Sequence, residues 1–179
     1  MATTFKNDFA KSQKLFEKFT RPALELFGFK KVISIEKGGL PLNQELDRNC
    51  GIDAGGTKDG DFMFIASRII EIKPYGSDYD CFSLRNKRLS NTETEIEKLE
   101  RKIKFGLPCP IWHVQTFVDL PLNVATVAIV LTKQLINFLT DYTAKIKTTN
   151  NGTEFKLVRW QDLKRGGVDF QTTTIKAKK

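Results

Sequence analysis

Residues 51–73 read GIDAGGTKDGDFMFIASRIIEIK and contain the most distinctive pattern of the chain. Glycine and aspartate are concentrated at residues 55–61, a composition typical of a tight turn between two strands. The apolar segment that follows is rich in Phe and Ile, as in a strand near the centre of a sheet. We therefore predict a β-hairpin with arms at residues 49–56 and 61–73.

Helical patterns precede and follow this hairpin. Phenylalanines at near-helical spacing from Phe5 to Phe19 predict an amphipathic helix packed by its Phe face. The segment Thr20-Arg21-Pro22 is interpreted as a break, after which a second helix ends at Gly28. Thr92 and Glu95 have capping-box spacing, so a third helix is expected from there to about residue 104.

Shorter patterns complete the predicted fold. Strands are expected at residues 31–35, 81–85, 111–118, 125–131 and 154–158, with a helix at 134–142. The predicted fold class is α/β or α+β, with a mixed central β-sheet flanked by helices. The length of 179 residues indicates one domain, taken as residues 1–170, and the polar, basic residues 171–179 are interpreted as a loose C-terminal tail.

Composition favours a cytoplasmic protein that does not enter a membrane. No apolar run approaches the ~20 residues needed to cross a bilayer. The first residues lack the apolar core of a signal peptide. The three cysteines are scattered, as is usual in a reducing compartment.

The charge distribution points to a phosphate polymer and a divalent cation. The net charge is +8, yet residues 45–80 contain eight acidic and only four basic side chains. A basic surface attracts nucleic acid through its long-range field and through counterion release. An acidic pocket within that surface would repel phosphate unless a divalent cation lay between them.

The acids of the hairpin match a known nuclease pattern. Asp53 is followed, after seventeen intervening residues, by Glu71-Ile72-Lys73, in which Glu71 and Lys73 share one face of a strand. Over roughly residues 9–99 the chain resembles the PD-(D/E)XK nuclease superfamily, whose pattern is an Asp, a variable gap and Glu-x-Lys. The resemblance implies a restriction-endonuclease-like core and Mg²⁺- or Mn²⁺-dependent hydrolysis of phosphodiester bonds, in DNA rather than RNA and by endonuclease action.

The resemblance also implies roles for individual side chains. Asp53 and Glu71 would bind the metal with help from Asp47, while Lys73 would orient the water or stabilise the phosphorane. Arg68 would pair with an acid, Asp47 or Asp53, or with the scissile phosphate. A basic cluster expected to follow the phosphate backbone consists of Arg85, Lys87 and Arg88.

The hairpin register remains open at this point. A turn at residues 57–60 makes Asp53 share its face with Ala66 and Arg68, so the acid of the Glu-x-Lys position is missing and would come from Glu93 or Glu95. A shifted turn or a bulge instead places Asp53, Glu71 and Lys73 on one face. We favour the second arrangement.

Other functions compete with a nuclease. One alternative is a catalytically degenerate nucleic-acid-binding protein on a nuclease scaffold, and another is an interaction protein whose basic surface binds an acidic partner. Residues 51–56 are also similar to the LAGLIDADG motif, but the preceding residues 45–50 are too polar for its interface helix. A nuclease of this size is expected to form a homodimer or higher homo-oligomer, and the composition suits a phage or mobile-element protein.

Overall fold

The computed structural model describes residues 10–35, 51–72, 80–87, 93–149 and 152–177. The strands are β1 (Lys30–Ser34), β2 (Ala54–Lys58), β3 (Asp61–Glu71), β4 (Cys81–Lys87), β5 (Trp112–Asp119), β6 (Val124–Leu131), β7 (Lys145–Thr148), β8 (Glu154–Arg159) and β9 (Phe170–Lys176). The helices are α1 (Arg21–Leu26), α2 (Glu95–Phe105), α3 (Thr132–Asp141) and α4 (Trp160–Arg165). Helical residues 10–15 and a π-helical turn, Phe16–Thr20, precede α1.

A mixed six-stranded sheet forms the centre of the molecule. Its strand order is β1-β2-β3-β5-β6-β9. The β3–β5 pair is parallel, whereas the other neighbours in this sheet are antiparallel. A second, three-stranded sheet has the order β4-β8-β7. The predicted class, a mixed central sheet flanked by helices, is confirmed.

The central hairpin closes on two residues rather than on the glycine pair. Asp59 and Gly60 both have positive φ angles, 54° and 95°, as a type I′ turn requires. Gly55 and Gly56 lie inside β2 because aromatic rings approach both faces of this strand. A Cβ atom on Gly55 would lie 2.4 Å from the Phe62 ring, and one on Gly56 would lie 3.3 Å from the Phe29 ring.

Two apolar cores cover the two faces of the central sheet. On one face, residues 15–29 pack against the sheet, and the fully buried Phe19 and Leu24 belong to this core. On the other face lie the second sheet and helices α2, α3 and α4. Phe16 and Phe19 are therefore core residues, as expected, whereas Phe5 and Phe9 lie outside the described residues. No helix in the described part of the chain is long and apolar enough to span a bilayer.

Two predictions about the ends of elements are wrong. The helix does not break at Thr20-Arg21-Pro22, because the π-helical turn continues directly into α1, with Pro22 near the start of that helix. The predicted tail contains β9, which pairs with β6 from Val130 opposite Phe170 to Val124 opposite Lys176. Threonines 172–174 are β-branched and suit a strand.

Helix α2 begins two residues later than predicted, because its N-cap is Thr94 rather than Thr92. Its N-cap is Thr94, whose Oγ1 accepts from the Glu97 N–H at 3.3 Å while the Glu97 carboxylate accepts from the Thr94 N–H at 2.8 Å. These hydrogen bonds hold the pKa of Glu97 below its usual value. Gly106, with φ 63°, ends the helix. The capping box fixes the position of Glu95, the first residue of α2.

Replacing the N-cap residue tests how firmly this helix start is held. We expect Thr94→Ala to lower the free energy of unfolding by about 1 kcal/mol, because a helix N–H loses its acceptor. Urea denaturation measures the change. Thr94→Ser keeps the hydroxyl and should retain most of the stability, so equal losses in the two variants would contradict the capping role.

Candidate active site

An ion pair between Arg68 and Glu95 joins the central sheet to helix α2. The Arg68 Nη2 donates to Glu95 Oε2, and each side chain is 21% exposed. The same carboxylate oxygen accepts from the backbone N–H of Arg85 at 2.9 Å. Burial alone would raise the pKa of Glu95, but the Arg68 charge and the Arg85 hydrogen bond outweigh it, so the pKa is lowered and the carboxylate stays ionised at neutral pH.

Both arginines also lie against the ring of Phe155 in β8. The Arg68 guanidinium carbon is 4.9 Å from the ring centroid, and that of Arg85 is 5.8 Å away. Such contacts attract a cation to the ring face and limit the movement of the long side chains. Two guanidinium groups and one carboxylate leave this cluster with a net positive charge.

Asp53 reaches the segment of β3 that carries Arg68. Its Oδ2 accepts from the Ser67 N–H at 2.6 Å, and its own N–H donates to the carbonyl of Ile65 at 3.0 Å. Ile65 is also the register partner of Ala54, so the β2–β3 ladder is irregular at Asp53. The Asp53 carboxylate, in place of a backbone carbonyl, accepts from the Ser67 N–H. The carboxylates of Asp53 and Glu95 thus contact consecutive residues of one strand.

The structure does not bring Asp53 and Glu71 together. Glu71 lies four residues beyond Ser67, about 13 Å along an extended strand. Its carboxylate instead pairs with Lys11 at 2.6 Å. Arg68 and Glu71 are three residues apart in β3 and therefore point to opposite faces of the sheet. The favoured arrangement, with Asp53 and Glu71 as joint metal ligands, is corrected: Ala66-Ser67-Arg68 lies beside Asp53.

The other residues predicted for the site lie outside the described residues or have partners that differ from those expected. Asp47, Lys73 and Arg88 lie outside the described residues. Arg68 pairs with Glu95 rather than with Asp53, because the capped start of α2 delivers the glutamate to β3. The site includes Arg85, whereas Lys87 is further out and lies 3.5 Å from Glu154.

Gln115 supports the candidate site, and the sequence analysis did not identify it. This fully buried side chain of β5 lies opposite Arg68, to whose carbonyl it donates at 3.3 Å. Its amide oxygen accepts from the Ser83 hydroxyl at 2.9 Å, which ties β4 to the central sheet. A polar amide within the apolar strand of residues 111–118 was the available signal.

His113 lies on β5, two residues before Gln115, and is buried. It is 1% exposed, opposite Ala66, and its ring meets Phe82 edge-on at 5.9 Å. Neither ring nitrogen has a hydrogen-bond partner among the described residues. Burial lowers the pKa of His113 to about 4, with Glu95 opposing this shift and Arg68 adding to it. The ring is therefore neutral at physiological pH.

The described part of the chain contains no group of three or more His, Cys, Asp and Glu side chains placed to hold a metal ion. Comparison of the chain with protein-family models, curated proteins and solved structures gives no match. The chemistry of the site is therefore judged from its own geometry.

Two glutamate substitutions compare the ion pairs on opposite faces of β3. We expect Glu95→Gln to lower the free energy of unfolding by about 3 kcal/mol, because it leaves a partly buried Arg68 without its counter-charge. Glu71→Gln removes a more exposed pair and should change it by less than about 1 kcal/mol. Urea denaturation measures both, and equal effects would contradict the structural importance of the Arg68–Glu95 pair.

Acid should destabilise the protein through His113. The unfolded chain protonates this group near pH 6.5, whereas the folded chain holds it neutral down to about pH 4. The unfolded state therefore binds more protons in this interval, and stability falls as the pH is lowered, by up to about 1.4 kcal/mol per pH unit. Glu95, whose pKa is lowered in the folded state, adds a further loss only below about pH 4.5.

A variant that does not titrate isolates the histidine. His113→Phe keeps an aromatic ring against Phe82 and should flatten the pH dependence between pH 6.5 and 4.5. Denaturant midpoints converted to free energies across that range provide the comparison. An unchanged slope in the variant would show that His113 is not the titrating group.

Proposed function

We propose that this protein binds DNA and hydrolyses its phosphodiester bonds with the help of a divalent cation, in the manner of the PD-(D/E)XK nucleases. The observation that carries the proposal is the convergence of Asp53 and Glu95 on the Ser67–Arg68 segment of β3. Two carboxylates and a cation on one segment of a basic protein are the kinds of group that phosphodiester hydrolysis uses.

The order of elements supports this proposal. A helical segment and β1 precede the β2–β3 hairpin, and β4 and α2 lead to β5, which runs parallel to β3. Among the described residues between 10 and 99, a helical segment, a strand, a hairpin, a further strand and a helix follow one another, and this order supports the resemblance. Ala66 stands where the superfamily pattern has its acid, and Glu95 from α2 supplies a carboxylate at the neighbouring Arg68 instead.

Each side chain has a role that follows from its environment. Arg68 remains charged and cannot act as a base, so we assign it to a phosphate oxygen of the scissile group. Glu95 is ionised because its pKa is lowered. Asp53 is held in place by the Ser67 N–H, which donates to one oxygen of its carboxylate.

The available donors are of the kind that Mg²⁺ or Mn²⁺ takes. Mg²⁺ is usually held by one or two carboxylates together with water and substrate phosphate, so Asp53 and Glu95 would hold it. When bound, the cation supplies an activated water and offsets charge on the phosphate. The protein itself orients the phosphate through Arg68, and it holds Glu95 at the start of α2 and Asp53 directly before β2.

A second candidate function is DNA binding without cleavage. It is favoured by the ion pair itself, since Glu95 is already engaged by Arg68 and by the Arg85 N–H. Alanine at position 66 favours the same alternative. In that case the positive cluster around Phe155 would hold a phosphate, and the carboxylates would only position the arginines.

A plasmid cleavage assay separates these functions. In the presence of Mg²⁺ or Mn²⁺ we expect the wild type to nick supercoiled DNA and Asp53→Asn to be slower by at least about a hundredfold, since metal binding supplies several kcal/mol of transition-state stabilisation. Asn retains an oxygen that can accept from Ser67, so the fold should be preserved. Glu71→Gln, at the end of β3 and outside the site, is the control and should cut normally.

The outcomes of this assay are distinct. Cleavage by Asp53→Asn at the wild-type rate would overturn the assigned site. Salt-sensitive DNA binding by the wild type without metal-dependent cleavage would overturn the enzyme and support the second candidate.

A further inference from the structure

The second sheet continues the positive charge of the site toward its outer edge. Arg85 of β4 lies opposite Phe155 of β8, and Phe155 lies opposite Lys147 of β7. Residues directly opposite one another place their side chains on the same face of a sheet. Arg85, Phe155 and Lys147 therefore form one row across the three strands.

A second lysine lies on the same face. Ser83, Leu157 and Lys145 form the next row, so Lys145 and Lys147 project from one face of β7. They are two residues apart, about 6.6 Å along the strand. All four residues of β7 are exposed. Since neighbouring strands are about 4.8 Å apart, the lysines lie roughly 10 Å from the backbone of β4.

From this row we propose that Lys145 and Lys147 hold the phosphate backbone of DNA where it leaves the Arg68–Arg85 site. The inference rests on the proposed function and adds the surface that binds the DNA flank. Charge complementarity supports it, since the two lysines extend a positive cluster in a chain with a net charge of +8. We call the row of Arg85, Phe155 and Lys147, with Lys145 beside it, the basic face. Ser83 and Leu157 on the same side are buried, so this face is open to solvent at β7.

Phe155 determines which part of the DNA the basic face can contact. Two guanidinium groups already lie near the Phe155 ring, at 4.9 Å and 5.8 Å from its centroid. The ring is thus engaged by Arg68 and Arg85 and is not a platform for stacking bases. The basic face contacts phosphates alone, and its contribution to DNA binding is independent of sequence.

A structural explanation of these lysines makes a different prediction. Lysines on an edge strand prevent it from pairing with another chain, and this would require no DNA contact. Lys156 of β8 provides the comparison, because it lies opposite Leu84 and Ile146 and so projects from the other face of the same sheet.

Binding measurements with a fluorescent DNA duplex in EDTA test the inference without cleavage. The double variant Lys145→Gln/Lys147→Gln should bind about tenfold more weakly, and the slope of log K against log salt should fall by about 2, one for each lost phosphate contact. Lys156→Gln should bind as the wild type does. Lys145→Arg/Lys147→Arg keeps both charges and should also bind normally.

The possible failures are distinguishable. If the double variant binds like the wild type, or if Lys156→Gln is weakened equally, the basic face is not the binding surface while the nuclease proposal stands. If the wild type shows no salt-dependent DNA binding, both proposals are overturned. Thermal midpoints close to that of the wild type confirm that each variant is folded.

Discussion

The contact between Arg68 and Glu95 connects three parts of the molecule. Arg68 belongs to the central sheet, Glu95 begins helix α2, and the same carboxylate oxygen binds the backbone of β4. A guanidinium within a largely apolar strand is unfavourable without a counter-charge. The need to neutralise it therefore sets where α2 and β4 dock, and both the fold and the candidate site depend on this one carboxylate.

The layer around this ion pair is polar in a protein otherwise held by two apolar cores. Gln115 links the Arg68 carbonyl to Ser83, and the buried His113 lies two residues before Gln115 on β5. Hydrogen bonds between buried polar groups stabilise a fold less than apolar packing does, but they specify a particular arrangement of the elements that carry these groups. Such a layer is what a site requires when charged side chains must be held on rigid strands.

Local patterns predicted the elements, whereas distant contacts determined the site. The hairpin and α2 follow from turn residues and a capping box, which act within a few positions of the chain. The register follows from Asp59-Gly60 and from the Phe62 ring against Gly55, a contact between strands. The pairing of Arg68 with Glu95 spans 27 positions, so charge pattern alone left Glu95 as one of several candidates. The strand β9 was missed because threonines suit both strands and polar tails.

The parallel pairing of β3 with β5 affects how the site is assembled. Ile65 and Trp112 are partners although they are about 50 residues apart, and closing such a loop is entropically unfavourable until many contacts form together. Arg68 and Gln115 meet only on this pair of strands. During synthesis Gln115 can therefore reach the Arg68 carbonyl only after β5 has emerged, so a nascent chain would carry the acids of the site without this support.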